Sequence, residues 1–342
     1  MAKTAVAGLD MELVEIAMAY QRNRVLCTAA RLGVADALKG GERSVQEIAR
    51  SCAADAATLH RLLRMLAAMG IVAQARQDTF VLTEFGEKLR KDVANSAWPA
   101  VIFWADFLAD NWSSLTECVR TGESAFSLRP EIMKRWRDEP EGAAIFLAVM
   151  GTSPAEAYLP IARAWDFSDA RVVADLGGGG GAMIEAILTT YPRVRGMLVD
   201  LAASIDAAKS RFLTGPVADR VQLVAADLSK EVPTGADIHV LKHVLHGYAD
   251  DGAVQILRNC RAALPPDGRI LIVEFVLPEV IDAADPELEK RLLSDLNMLA
   301  VTGGKERDTL EWRSLATRAG LRCERIIPVS EDLVSIIECQ PQ

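Results

Sequence analysis

Two stretches of this 342-residue chain carry residue types whose spacing could do chemistry. The first is Asp175-Leu-Gly-Gly-Gly-Gly-Gly181, lying between an apolar, β-branched run and a helix-length segment. Glycines let a turn take positive φ and let ligand atoms approach the backbone closely, here at the N-terminus of the next helix. Gly177-x-Gly179-x-x-Ala182 satisfies the loose dinucleotide fingerprint, and Asp175-x-Gly177-x-Gly179-x-Gly181 satisfies an acidic glycine-rich pattern as well. An Asp two residues before the first Gly repels a pyrophosphate but suits a ligand with a cationic end. Asp200 ends the next strand, where a carboxylate can take both hydroxyls of a ribose. Asp227 ends the third strand, placed to meet the adenine side of such a ligand.

The second stretch holds three of the four histidines: His239, His243 and His246. His243 and His246 stand at i, i+3, which raises a metal site. However, His239 falls in a buried strand, and no Cys or second acidic ligand follows at ligand spacing, so no metal is expected. Ligands bind at the carboxyl ends of parallel strands, and His246 follows such an end. Glu274 interrupts the apolar run Ile270–Leu277, a costly placement without a buried partner. A histidine at the end of the neighbouring strand would be that partner. One carboxylate can accept a ring N–H, fix the tautomer and leave the other nitrogen free to take a proton.

The elements that position these groups are readable in outline. Residues 10–95 read as short helices and a hairpin. Ser44 caps Val45–Ser51, with Glu47 completing a capping box. A helix over 56–69 carries Leu59, Leu62, Leu63 and Leu66 and stops at Gly70. Ile71–Ala75 and Thr79–Leu82 flank a polar turn. Helix, turn, helix, hairpin is a winged-helix pattern. Residues 96–165 are helical, with five of the six Trp residues, and suit one wall of an apolar pocket. From 171 onward, Arg171–Leu176, Val194–Asp200, Val221–Asp227, Asp237–Lys242 and Arg269–Leu277 alternate with helices such as Ala182–Tyr191 and Ala253–Leu264. That predicts a doubly wound parallel sheet. Leu321–Val329 and Leu333–Cys339, joined by Ser330-Glu331-Asp332, predict a terminal hairpin whose last strand enters antiparallel. The expected domains are 1–95, 96–165 and 166–342.

Composition excludes several classes. Half the residues are hydrophobic and a quarter charged, as in a soluble chain with a full core. The chain carries 38 basic against 47 acidic residues, and its first 95 residues carry 13 against 11. A duplex-binding module needs a clear basic face, so a ligand-sensing DNA-binding regulator is disfavoured and nucleic acid is not an expected partner. No apolar stretch reaches the ~20 residues of a membrane span. Met1–Leu9 lacks the apolar core of a signal peptide. The six cysteines are scattered, which predicts a reduced, cytoplasmic protein.

The acidic glycine pattern is that of S-adenosylmethionine-binding methyltransferases, and the terminal hairpin favours their sheet over a dehydrogenase's. Together with Leu241-Lys-His-Val-Leu-His246 and Gly303-Gly-Lys-Glu-Arg307, it resembles the motifs of the bacterial and plant small-molecule O-methyltransferases. Leu32-Gly-Val-Ala-Asp-Ala-Leu38, Leu62-Leu-Arg64 and Leu82-Thr-x-x-Gly86 resemble that family's dimerisation domain, so the likeness covers nearly the whole chain. It implies an α/β fold: a Rossmann-like seven-stranded methyltransferase sheet behind an N-terminal winged-helix dimerisation domain that pairs protomers as a homodimer. The implied activity is methylation of a hydroxyl, phenolic in class, on a small, largely apolar molecule of secondary metabolism. His246 is implied as general base, with Glu274 and Glu306 completing the set. Asp175, Gly177, Gly179 and Gly181 would pass the methionyl part of S-adenosylmethionine, and Asp200 would hold its ribose. Asp227, Leu228 and Lys242 would lie on the adenine side, and Met150 and Asn297 in the acceptor pocket. Two departures stand out: Gly247-Tyr248 replaces the usual Asp-Trp after the histidine, and Leu201-Ala-Ala-Ser204 lacks the usual Pro after Asp200. Some relatives use the bound cofactor for hydroxylation, decarboxylation or rearrangement. Retention of His246, Glu274 and Glu306 argues against that alternative.

Overall fold

The structure, a computed structural model, describes residues 11–151, 153–329 and 334–342. The N-terminal segment read for a signal peptide and the Ser330-Glu331-Asp332 turn lie outside the described residues. The chain folds as two compact units, the first ending at Asp110 and the second spanning Asn111–Gln342.

In the first unit a long helix, Met11–Leu32, precedes the predicted winged-helix elements. Ser44 caps Val45–Ser51 through the reciprocal bonds of a capping box with Glu47. Asp55 caps Ala56–Ala68, whose Leu59, Leu63 and Leu66 are buried. Val72–Arg76 and Thr79–Leu82 form the antiparallel hairpin, and Arg43–Ser44 adds a short third strand against Thr79–Phe80. The helices over 98–110, read above with the pocket wall, belong to this unit.

The second unit is built on seven strands: β1 (Val172–Leu176), β2 (Arg195–Asp200), β3 (Val221–Ala225), β4 (Ile238–Lys242), β5 (Arg269–Leu277), β6 (Leu321–Pro328) and β7 (Val334–Pro341). Their order across the sheet is β6-β7-β5-β4-β1-β2-β3. Neighbours from β5 to β3 are parallel, while β7 runs antiparallel to both β5 and β6. Helices cover both faces, which is why the central strands read as continuous apolar runs. Leu176, Leu241 and Ile272 bury one face against Leu257 and Leu315. Val173, Val240 and Leu271 bury the other against Ile184 and Ile187. The strand order reverses between β4 and β1, so the carboxyl ends of β1, β2 and β4 converge on one crevice. Among the described residues, no single helix is long and apolar enough to cross a membrane.

Candidate active site

At the β1 end of the crevice the backbone itself makes the site. Gly177, Gly179 and Gly181 all take positive φ, between 54° and 78°, so the alternate spacing of the motif matches an alternation in the turn. A Cβ at Gly177 would lie 2.7 Å from the Val244 side chain. At Gly179 nothing among the described residues lies within 4 Å of a Cβ position. The Asp200 carboxylate at the end of β2 accepts from Gly179 N–H (2.9 Å) and Leu201 N–H (2.6 Å), and still has lone pairs for a ligand's hydroxyls.

Asp175 has a different place from the one its charge suggested. It is buried beneath the loop, with Oδ2 accepting from the Ile184 N–H of the helix Ala182–Thr190. Burial pushes its carboxyl up to about 7. It therefore ties the loop to the helix behind it. Asp227 also departs from expectation: β3 ends at Ala225, and Asp227 stands in the turn beyond. Its carboxylate accepts from the N–H and hydroxyl of Ser229, an Asx turn that competes with continuing the ladder. Ala226 N–H bonds to the Asp200 carbonyl, and Leu228 packs beside Gly177, so the segment stays next to the loop. Lys242, ending β4, lays its ammonium over the Tyr158 ring at 4.7 Å.

At the β4–β5 end the site is built from side chains. Glu274, fully buried on β5, accepts with Oε1 from the N–H groups of Val244, Leu245 and His246 at 3.0, 3.0 and 3.3 Å. Its Oε2 lies 3.1 Å from His243 Nδ1 and 3.5 Å from His246 Nδ1. Burial opposes the Glu274 charge, but His246, His243 and the backbone donors outweigh it and hold its pKa below the ordinary value. His243 sits at φ 51°, uncommon for a residue with a side chain, where the chain turns sharply out of β4. His246 Nδ1 lies 2.8 Å from Glu306 Oε1, which also accepts from the Ser294 hydroxyl at 2.7 Å. A carboxylate only accepts, so both imidazoles carry their proton on Nδ1 and present Nε2 away from the carboxylates. Burial alone would lower the His246 pKa. Glu274 and Glu306 overcome that, against opposition from Lys242, and hold it above 6.5.

Glu274 thus meets a histidine at the end of the neighbouring strand, as its burial demanded: that histidine is His243, at 3.1 Å, with the turn's backbone N–H groups beside it, and the His246 ring stands farther off at 3.5 Å. The metal argument is corrected. A carboxylate does join the histidine pair, supplied by the fold rather than by spacing along the chain. Donor atoms of His243, His246 and Glu274 lie within 4.8 Å of one another. His243 Nδ1 is already bonded to Glu274, and His246 Nδ1 to Glu306.

The site thus joins a glycine loop on the first parallel strand, a carboxylate ending the second and a histidine–carboxylate pair after the fourth. The family described as the O-methyltransferase domain matches residues 112–322, and the O-methyltransferase dimerisation domain matches 14–92. The chain belongs to this O-methyltransferase family. It is an S-adenosylmethionine-dependent methyltransferase. It is 32% identical over 341 residues to a phenazine O-methyltransferase of Lysobacter antibioticus, covering 99% of this chain and 98% of the relative. It is also 32% identical to an 8-amino-8-demethylriboflavin N,N-dimethyltransferase of Streptomyces davaonensis, covering 99% and 96%. An O-methyltransferase from neocarzinostatin biosynthesis, solved with S-adenosylmethionine and 2-hydroxy-5-methyl naphthoic acid, superposes with a TM-score of 0.77. It is 32% identical and covers 94% of this chain and 96% of that one.

Of the remaining positions in this methyltransferase, Met150 lies half-exposed near the end of the helix Pro140–Gly151. Asn297, on the helix Leu288–Val301, accepts from the Trp112 indole N–H at 3.1 Å. A Cβ at Gly247 would meet nothing within 4 Å, so crowding does not explain the missing carboxylate there. Sequence reasoning assigned no role to His243, Ser294 or Tyr158. Only the i, i+3 spacing hinted at His243, and the other two carry no local signal.

Proposed function

We propose that this methyltransferase methylates a hydroxyl, phenolic in class, on a small, largely apolar molecule of secondary metabolism. The observation that carries the reading is the imidazole of His246, held on Glu306 at 2.8 Å with its other nitrogen free to accept. A phenol ionises near pH 10, so its oxygen becomes a good nucleophile only as its proton leaves. His246 Nε2 takes that proton, while Glu306 fixes the tautomer and stabilises the imidazolium. An amine acceptor already has a lone pair, which is why a base pair of this kind favours oxygen. S-adenosylmethionine, when bound, supplies a methyl group on a cationic sulfonium. Gly177, Gly179 and Gly181 pass its methionyl part, Asp200 takes the ribose hydroxyls, and Asp227, Leu228 and Lys242 frame the adenine side. Asp175 serves by holding the loop. Met150 and Asn297 line the acceptor side. Holding two reactants in register can supply ~7–11 kcal/mol, more than the base contributes.

The protein works as a cytoplasmic homodimer paired through its N-terminal module. Leu13, Ile16 and Tyr20 on the helix Met11–Leu32 are 65%, 68% and 65% exposed in the single chain, an apolar surface suited to a second copy. Single-turnover transfer from labelled S-adenosylmethionine to a panel of hydroxynaphthoates and hydroxyphenazines, with the matching amines alongside, tests the acceptor class. Methylation of amines but not hydroxyls would overturn it.

A further inference from the structure

The motif Gly303-Gly-Lys-Glu-Arg307 supplies Glu306 to the base, but its final residue has no place in the chemistry above. Arg307 is fully buried. A buried guanidinium is costly to desolvate, so its partners indicate what it does. Nη1 donates to the carbonyls of Leu245 (3.2 Å) and Lys305 (3.3 Å), and Nη2 donates to Tyr248 (2.8 Å). Nε and Nη2 both reach Asp250 Oδ1, at 3.1 and 2.9 Å, and the guanidinium lies 5.3 Å from the Trp312 ring. Leu245 and Tyr248 bracket His246 along the chain, and Lys305 precedes Glu306. One planar group therefore grips the backbone beside each member of the base pair.

A second contact acts at the same seam. A Cβ at Gly304 would lie 1.9 Å from the His246 carbonyl oxygen and 2.7 Å from the Gly247 carbonyl carbon. Only a glycine lets the two segments touch there. Arg307 itself is set in place by pairing in parallel with Val276 of β5, two residues beyond Glu274. Asp308, next along, caps the helix Thr309–Arg318 in a capping box with Glu311. The other bonds of Glu306, from Ser294 and to Asp295 Oδ1, tie it to the helix Leu288–Val301 and not to the histidine segment.

We propose that Arg307, acting across the seam that Gly304 lets close, is the positioning residue that locks Glu306 onto His246. It touches neither ligand nor reacting atoms. This rests on the reading of His246 as base, but its test does not need turnover. The groups that face His246 are Glu274, Glu306, His243 and Lys242, and Arg307 acts on the ring through the backbone on either side of it and through the segment that carries Glu306. Arg307→Lys keeps the charge but replaces a planar five-donor fork with a three-donor point cation, so Glu306 loses its register.

The experiment is a ring-resonance pH titration of the full-length protein, labelled at its four histidines. The comparison is wild type against Arg307→Lys, with S-adenosylhomocysteine affinity measured by calorimetry. The His246 midpoint should lie above 6.5 in wild type. It should fall in the variant as the Glu306 bond is lost, with cofactor affinity unchanged. Weakening of a nearby cation would push the midpoint upward instead, so the sign distinguishes positioning from simple electrostatics. A folded variant with an unchanged or raised midpoint overturns the proposal. If Arg307→Lys does not fold, Gly304→Ala, which alters no charge, must part the same segments and lower the same midpoint. An unchanged midpoint there overturns the proposal equally. If His246→Ala kept full activity, the base reading would fail while this titration still reported the pairing.

Discussion

The two ends of the crevice are built from different materials. At the β1–β2 end, backbone does the work: three glycines with positive φ, a helix N-terminus and one carboxylate bonded to the loop's own N–H. At the β4–β5 end, side chains do it: two histidines and two buried carboxylates arranged around a turn whose N–H groups are spent on Glu274. A backbone site tolerates loss of side chains but not changes in chain conformation. A side-chain site can be dismantled one atom at a time. Substitutions at the two ends should therefore fail in different observables.

The largest effect belongs to the base. His246→Ala should lower the methyl-transfer rate by ~10²–10⁴ with cofactor affinity nearly intact. Glu306→Gln should cost less, because an amide oxygen still orients the ring but no longer stabilises the imidazolium. The wild-type rate should fall with pH on an acid limb above 6.5, since Glu274 and Glu306 raise the ring's pKa and a protonated ring cannot accept. Single-turnover rates across pH check both. If the alanine variant keeps the wild-type rate and the same limb, the side-chain end is not where the proton goes.

Next comes Asp200→Ala at the other end. Hydrogen bonds to a charged group are worth ~1.5–3 kcal/mol, so S-adenosylhomocysteine should bind at least ~10-fold more weakly, with acceptor binding little changed. Calorimetric titration decides. Unchanged affinity would mean that the carboxylate serves only the loop N–H groups it already bonds.

The same contrast governs what the sequence could reveal. The loop is legible because its signal is local: the spacing of Gly177, Gly179 and Gly181 corresponds to the three positive-φ positions. The parallel sheet is legible for the same reason, from runs of β-branched residues at helix-length intervals. The base end joins residues 28 to 60 positions apart, and only strand order brings them together. Composition could say that Glu274 needs a partner, but not that the left-handed turn at His243 would supply three N–H groups and a nearer ring. Asp227 shows the converse error. There the apolar run continues to a residue whose side chain prefers to close a turn with Ser229.

A smaller effect would sharpen the assignment of Asp175 to the loop's support. Its folded pKa of about 7 is raised from 3.8 by burial. A raised acid contributes stability at low pH and loses it as pH rises from about 3.8 through 7, because the folded state must then give up a proton it holds more tightly. Asp175→Asn, which can still accept from Ile184 N–H, removes that loss. The melting temperature of the variant relative to wild type should rise by several degrees between pH 5 and pH 8. A constant difference would show that the buried carboxyl is not neutralised.

The smallest expected effect lies between the two ends, at His239 on β4, which pairs in register with Ala174 and Ile270. Both its ring nitrogens are buried with no hydrogen-bond partner among the described residues, and burial holds its pKa down to about 4. It is a neutral ring with an unmet donor, and no part of either site depends on it. An unsatisfied buried polar group costs ~1–3 kcal/mol, and Leu has a similar size without the polar atoms. His239→Leu should therefore stabilise the protein by ~1 kcal/mol at pH 7 and leave methyl transfer unchanged. The sign of the pH dependence is opposite to that at Asp175. Here the unfolded chain binds the extra proton below 6.5, so wild type loses stability as pH falls from 6.5 towards 4 and the variant does not. The stability gap should widen in acid, as denaturant titrations at pH 7 and pH 5 would show. If the substitution instead destabilised the fold or lowered the transfer rate, His239 would have a partner in solution and would belong to the side-chain end of the crevice.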